Sequence, residues 1–151
     1  KILPLVDILF VSEESSRRMF QKTGTLHEMM KSYCEEYGVK IVATTQRTVI
    51  SPRKHNFTST IYSAENDCFY TEQPYENIDV IDRIGSGDAY VGGVLFGLLK
   101  YGDPEQAMRF GNATSSVKNT IPGDLPDSDI HEIERIIKEH NAVGPVSELN
   151  R

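Results

Sequence analysis

A layered α/β fold, a mostly parallel sheet flanked by helices, is what this sequence predicts, and three stretches carry that expectation. Leu5-Val-Asp-Ile-Leu-Phe-Val11 and Val39-Lys-Ile-Val-Ala-Thr44 are short, near-continuous apolar runs of the kind that become buried strands. Helical patterns separate them, giving the strand–helix–strand order of such a sheet. Third, Ile78-Asp-Val-Ile81 passes through a glycine turn, Gly85-Ser-Gly87, straight into another apolar helical pattern.

The elements follow in order. After the strand Leu5 to Val11, Ser12 caps a helix running to Phe20, with Glu13 and Glu14 in its first turn. Thr25-Leu-His-Glu28 has the spacing of a capping box and opens a second helix. Leu26, Met29, Met30, Tyr33, Cys34 and Tyr37 share one face of it, and Gly38 ends it. The strand Val39 to Thr44 follows. The middle of the chain has no helical period. Phe57 to Tyr62 reads as a strand, Asn66-Asp67 as a turn and Cys68 to Tyr70 as another strand, together antiparallel edge strands added to the sheet. Gln73 to Asn77 is a connector into the strand Ile78 to Ile81. The helix after the glycine turn ends at Gly102, and Asp103-Pro104 starts the next. Ile121 to Pro126 is a loop. Asp127 caps a last helix with the stripe Ile130, Ile133, Ile136 and Ile137, and the tail from Gly144 has little to fold with.

The glycine turn carries the chemistry. A strand, a turn and a helix start aim several main-chain N–H groups and the positive end of a helix dipole at one point. Gly85 and Gly87 let that backbone approach a bulky anion, and Asp88 stands at the same point. An anion cradle beside a carboxylate base suits phosphoryl transfer, where a hydroxyl is deprotonated while phosphoryl charge is stabilised. Gly92 and Gly93, one turn further, are unfavourable in a helix unless a neighbouring strand or a ligand presses close. Ser and Asp are also ordinary capping residues, so the short motif alone leaves a plain helix start open.

The longer stretch Asp82-Arg-Ile-Gly-Ser-Gly-Asp-Ala-Tyr-Val-Gly-Gly-Val-Leu95 resembles the C-terminal signature of the PfkB (ribokinase-like) carbohydrate kinases, roughly D-T-x-G-A-G-D followed by a small-residue helix. Asp82, Gly85, Gly87 and Asp88 match, and Ser86 replaces Ala. Arg83 stands where the family usually has Thr, as in the 2-keto-3-deoxygluconate kinase branch. Phe110-Gly-Asn-Ala-Thr-Ser-Ser-Val-Lys-Asn-Thr-Ile-Pro-Gly-Asp124 is similar to the helix and loop that border the family's adenine pocket. The resemblance implies a ribokinase-like fold, of which this chain is the C-terminal portion.

That resemblance assigns roles. Asp88 is the implied general base, and the N–H groups of Gly85, Ser86, Gly87 and Asp88 the implied anion hole. Gly111 and Asn112 fall beside the adenine. Thr44 and Thr45, at a strand's carboxyl end, are nucleotide-contact candidates. Asp82 falls near a monovalent-cation site, or is a strand-end residue pairing with Arg83 or a backbone amide. Implied cofactors are ATP, Mg2+ and a monovalent cation such as K+. Many relatives carry N-x-x-E after the strand matching Leu5–Val11; here the residues are Ser12-Glu-Glu-Ser15, so no protein ligand for magnesium is assigned and Mg2+ arrives with ATP. The substrate implied is a small sugar acid, 2-keto-3-deoxygluconate, giving its 6-phosphate. Fructose or ribose as acceptor, and a non-catalytic sugar- or nucleotide-binding regulator of the same fold, remain the alternatives.

Composition narrows the classes. The chain has 151 residues and a formal charge of −6, the wrong sign for a nucleic-acid footprint. Arg47, Arg53 and Lys54, with His55 beside them, read as a basic loop, either solvated surface or, at Arg47, a polyphosphate contact. No run of about 18 apolar residues predicts a membrane span. Cys34 and Cys68 form no C-x-x-C pair, and the four His residues show no ligand spacing, so a reducing cytoplasm fits best. Family kinases are about twice this length. Residues 1–151 therefore read as the nucleotide-binding, catalytic part of a kinase, inactive alone, whose sugar-binding half and lid, the route to a homo-oligomer, are absent.

Overall fold

The computed structural model describes residues 1–142, so the tail expectation from Gly144 lies outside the described residues. The first apolar run divides. A 3-10 turn at Leu3–Leu5, with Pro4 at its start, precedes β1 at Ile8–Phe10, a shorter strand than Leu5–Val11. Helix α1 (Glu13–Phe20) starts at Ser12, whose hydroxyl accepts the Ser15 N–H. In α2 (Leu26–Tyr37) the capping box is reciprocal: Thr25 accepts from the Glu28 N–H while Glu28 accepts from the Thr25 N–H.

Strand β2 (Ile41–Ser51) runs well past Thr44 and turns at Pro52-Arg53 into β3 (Lys54–Ser63). The expected basic loop is therefore mostly strand, with Arg47 opposite Phe57 and Val49 opposite His55. Residues 45–50 are all exposed, so no buried face marks this part of β2, and ladder hydrogen bonds carry it. After a turn in which Asp67 takes φ 45°, β4 is Cys68–Thr71. Strand β5 occupies Tyr75–Asp79 rather than Ile78–Ile81. The Ile81 N–H leaves the sheet to reach the Asn119 carbonyl at 2.8 Å.

The sheet is mixed. β1 and β2 pair parallel, in the order β1-β2-β3-β4. β3 pairs antiparallel with β2, β4 and β5, so the antiparallel part extends inward from the edge. Alternation along the strands splits the core into two faces. Val42 and Tyr62 pack with Met30 and Tyr33 of α2. Ala43, Phe57 and Ile61 pack with Tyr90 and Val94 of α3 (Ser86–Tyr101) and Met108 of α4 (Pro104–Asn119). Helix α5 (Ile130–Ala142) lays Ile133 against Phe110 and Tyr75; its cap is Asp129, which accepts the Glu132 N–H, and not Asp127.

Helices α3 and α4 meet backbone to backbone. A Cβ on Gly93 would stand 2.9 Å from the Gly111 Cα, and one on Gly97 2.6 Å from the Ala107 Cα. The partner pressing on this helix is thus another helix, rather than a strand or ligand, and Gly92 opens to free space. Gly97→Ala should destabilise the protein by at least about 1 kcal/mol although Ala is the better helix former, since the helices must part to admit the methyl. Thermal unfolding checks it.

Glu72 is buried where β4 leads toward β5. Its Oε2 accepts from Asn112 Nδ2 at 2.9 Å, and its Oε1 has no hydrogen-bond partner among the described residues. Burial pushes its carboxyl above the usual range, against the Asn112 hydrogen bond and the charges of His140 and Arg109. A raised carboxyl favours the fold while protonated: the contribution is full below the ordinary value of 4.5 and is lost as pH rises through the folded value. Glu72→Gln should therefore raise stability at pH 8 by about 1 kcal/mol, a few degrees in melting temperature, with the gain fading toward pH 4.

Candidate active site

Helix α3 starts where the chain turns at Gly85, φ 77°. Two constraints select glycine there: the left-handed backbone, and the Asp124 carbonyl, into which a Cβ would run. Of the four N–H groups expected to form the anion hole, that of Ser86 donates to the Arg83 carbonyl at 3.2 Å. Those of Gly85, Gly87 and Asp88 have no acceptor among the described residues. Asp88, in the first turn, is exposed, and its carboxylate pairs with no described side chain.

A cleft of about 260 Å3 opens onto this helix start. Thr45 and Arg47 line it from β2, His55 from β3, Ser86 and Gly87 from α3, and Asn119 from the end of α4. A smaller recess of about 220 Å3 shares Thr45 and Gly87 and continues to Phe10, Val11 and Ser12. The site therefore lies off the carboxyl end of β1, as ligand sites in open α/β sheets do. His55 is buried with no partner for Nδ1 among the described residues, and burial, reinforced by Arg47 and Arg83, lowers its pKa. A neutral ring leaves the fixed positive charge lining the cleft to Arg47. That combination of free N–H groups and a cation suits a polyphosphate.

The other predicted residues are placed as follows. Thr44 alternates onto the α2 side of the sheet and is buried, away from Thr45. Gly111 lies against Val94 and Tyr90, and Asn112 is buried on Glu72; neither lines the cleft. Asp82 accepts the Ile84 N–H on Oδ1 at 3.0 Å and the Gly123 N–H on Oδ2 at 3.1 Å. Those bonds, Ile84 first, hold its carboxyl below the usual range. The Ser12–Ser15 stretch serves α1, with Glu13 paired to Arg17 and Glu14 to Arg18.

Sequence reasoning missed the end of α4. Asn119 lines the cleft and its carbonyl takes the Ile81 and Asp82 N–H groups, while Ser115 Oγ donates to the Ser86 carbonyl at 2.9 Å. Ser115, Ser116, Lys118 and Asn119 are all buried, in a run whose polarity reads as solvent-facing. The available signal was their place just before a Pro-Gly loop.

Free N–H groups at a helix start, off the carboxyl end of a strand and near an exposed carboxylate, form an arrangement suited to an anion. The sequence profile of the pfkB family carbohydrate kinases matches residues 1–128, and the chain belongs to that family. It is 28% identical over 141 residues to a 2-dehydro-3-deoxygalactonokinase of Haloferax volcanii, covering 93% of this chain and 41% of that protein. A solved 2-dehydro-3-deoxygluconokinase of Thermotoga maritima superposes with a TM-score of 0.84 at 26% identity, over 91% of this chain and 43% of that one. A ribokinase-like protein of E. coli, solved with ATP and Mg2+, shares the fold with a TM-score of 0.71 at 24% identity, over 92% and 41%. The chain thus spans about two fifths of the length of the relatives it matches. Among the described residues no helix is long and apolar enough to cross a membrane.

Gly85→Ala should push the Asp124 carbonyl away and misplace the cradle. The expected result is a melting temperature lowered by at least a few degrees with secondary structure retained, measured by thermal unfolding and circular dichroism.

Proposed function

We propose that this chain is the nucleotide-binding, catalytic part of an ATP-dependent sugar kinase whose acceptor is 2-keto-3-deoxygluconate and whose product is its 6-phosphate. One observation carries the reading: the exposed Asp88, unpaired among the described residues, stands in the first turn of the helix whose start, at Ser86 and Gly87, lines the cleft with Arg47, and the Gly85, Gly87 and Asp88 N–H groups have no acceptor among the described residues. Family membership and the printed names of the two sugar-acid kinase relatives support the choice of acceptor. The remaining length of those relatives leaves room for the sugar-contacting half and lid, and the chain alone is then inactive.

In this reading Asp88 takes the proton of the sugar 6-hydroxyl as its oxygen attacks the γ-phosphorus. The new P–O bond forms while the bond to the leaving ADP oxygen breaks. An ordinary aspartate is a weak base, yet phosphoryl transfer depends chiefly on position and charge stabilisation. The three free N–H groups and Arg47 meet the charge spread over the equatorial phosphoryl oxygens. Gly111 and Asn112 act behind the adenine side through the packing of α4, and Thr45 acts from within β2, where it lines the cleft. In this reading Mg2+ arrives with the nucleotide phosphates.

The test is ATP consumption by the full-length protein with 2-keto-3-deoxygluconate, its 4-epimer, fructose and ribose supplied separately. Turnover with the first alone is the expected result; turnover only with another sugar keeps the kinase and discards the acceptor. ATP binding without turnover on any of them would favour a non-catalytic binder. Asp88→Asn should lower kcat by about 100- to 10,000-fold with ATP binding retained; full activity of that variant removes Asp88 from the mechanism.

A further inference from the structure

Lys118 is one of the largest fully buried side chains of the protein. It lies near the end of α4, and no described carboxylate forms an ion pair with it. Its Nζ donates instead to two main-chain carbonyls, Asp82 at 3.2 Å and Ile121 at 3.1 Å. A buried ammonium is costly unless its charge is met, and here only carbonyl dipoles and the nearby Asp82 charge meet it. Carbonyl oxygens are also what replaces water around a bound alkali ion.

The two carbonyls belong to the two segments that hold the cradle. Asp82 begins the turn into Gly85, and Ile121 begins the loop whose Asp124 carbonyl abuts Gly85. The Asp82 carboxylate ties the same two segments from its other side, through the Ile84 and Gly123 N–H groups. Both of its oxygens are engaged by protein donors, and the positive charge between the carbonyls is already present. These residues do not fit a separate monovalent cation coordinated at Asp82.

We propose that the Lys118 ammonium is a built-in monovalent cation: a positioning residue that clamps the segments before and after the cradle, so that the enzyme needs no K+. This rests on the kinase reading for its activity arm and on geometry alone for its stability arm. A clamp of this kind fixes where the Gly87 and Asp88 N–H groups point, and it touches no reacting atom.

Two arms test it in the full-length protein. In the first, wild-type turnover and melting temperature are measured in K+, Na+ and tetramethylammonium chloride at matched ionic strength. Both should be the same within twofold and within a degree or so. A tenfold stimulation by K+, or a melting temperature raised selectively by K+, overturns the proposal, and the latter does so even if no sugar is turned over. In the second, Lys118→Ala should lower kcat more than it changes the KM for ATP. Ammonium, ethylammonium or K+ at tens of millimolar should restore at least a tenth of the lost activity to the variant and none to wild type. A role in packing alone predicts that the neutral isostere Lys118→Met keeps kcat, which overturns the proposal, as does a folded Lys118→Ala that no cation restores. Should both variants fail to fold, the wild-type arm decides by itself.

Discussion

The close contact of α3 with α4 is the constraint on which the rest of the site depends. Where Gly93 faces Gly111 and Gly97 faces Ala107, the two backbones touch without side chains between them. That contact fixes the antiparallel register of the pair. It brings the start of α3 level with the end of α4, where Ser115 reaches the Ser86 carbonyl and Asn119 takes the Ile81 and Asp82 N–H groups. Tyr90, Val94 and Met108 then seat the pair on Phe57 and Ile61 of β3. A side chain in the seam would separate the cradle from the loop that shapes it.

Charge follows from the same placement. A chain of net charge −6 has to attract a polyanion through a local field. Arg47 and Arg83 flank His55 closely enough to lower its pKa, and Lys118 adds a further positive group behind the turn. Some of the acidic residues form surface pairs elsewhere, such as Glu13 with Arg17 and Glu134 with Lys100. Pairs that exposed contribute little stability.

Local chemistry made much of this legible in the sequence. The capping box at Thr25, the stop at Gly38, the Asp103-Pro104 restart and the turn into α3 are decided within a few residues, and they were placed from the chain alone. What failed depended on partners distant in sequence. Strand β2 continues through exposed residues because β3 pairs with it, and β5 sits earlier than its apolar pattern because Ile81 is drawn to Asn119. The helix cap moved from Asp127 to Asp129 because two carboxylates compete within one turn, a choice that packing of Ile133 decides. The polar end of α4 was the largest omission: burial of Ser115, Lys118 and Asn119 follows only once α3 and the Ile121–Asp124 loop are in place.

The fit of Gly85 against Asp124 has one more consequence. In the proposed kinase reading, N–H groups held this firmly need no reorganisation as charge gathers on a phosphoryl oxygen, and the same firmness keeps them from following the group as it moves. Arg47, a long side chain on the exposed stretch of β2, is the member of the cleft with that freedom.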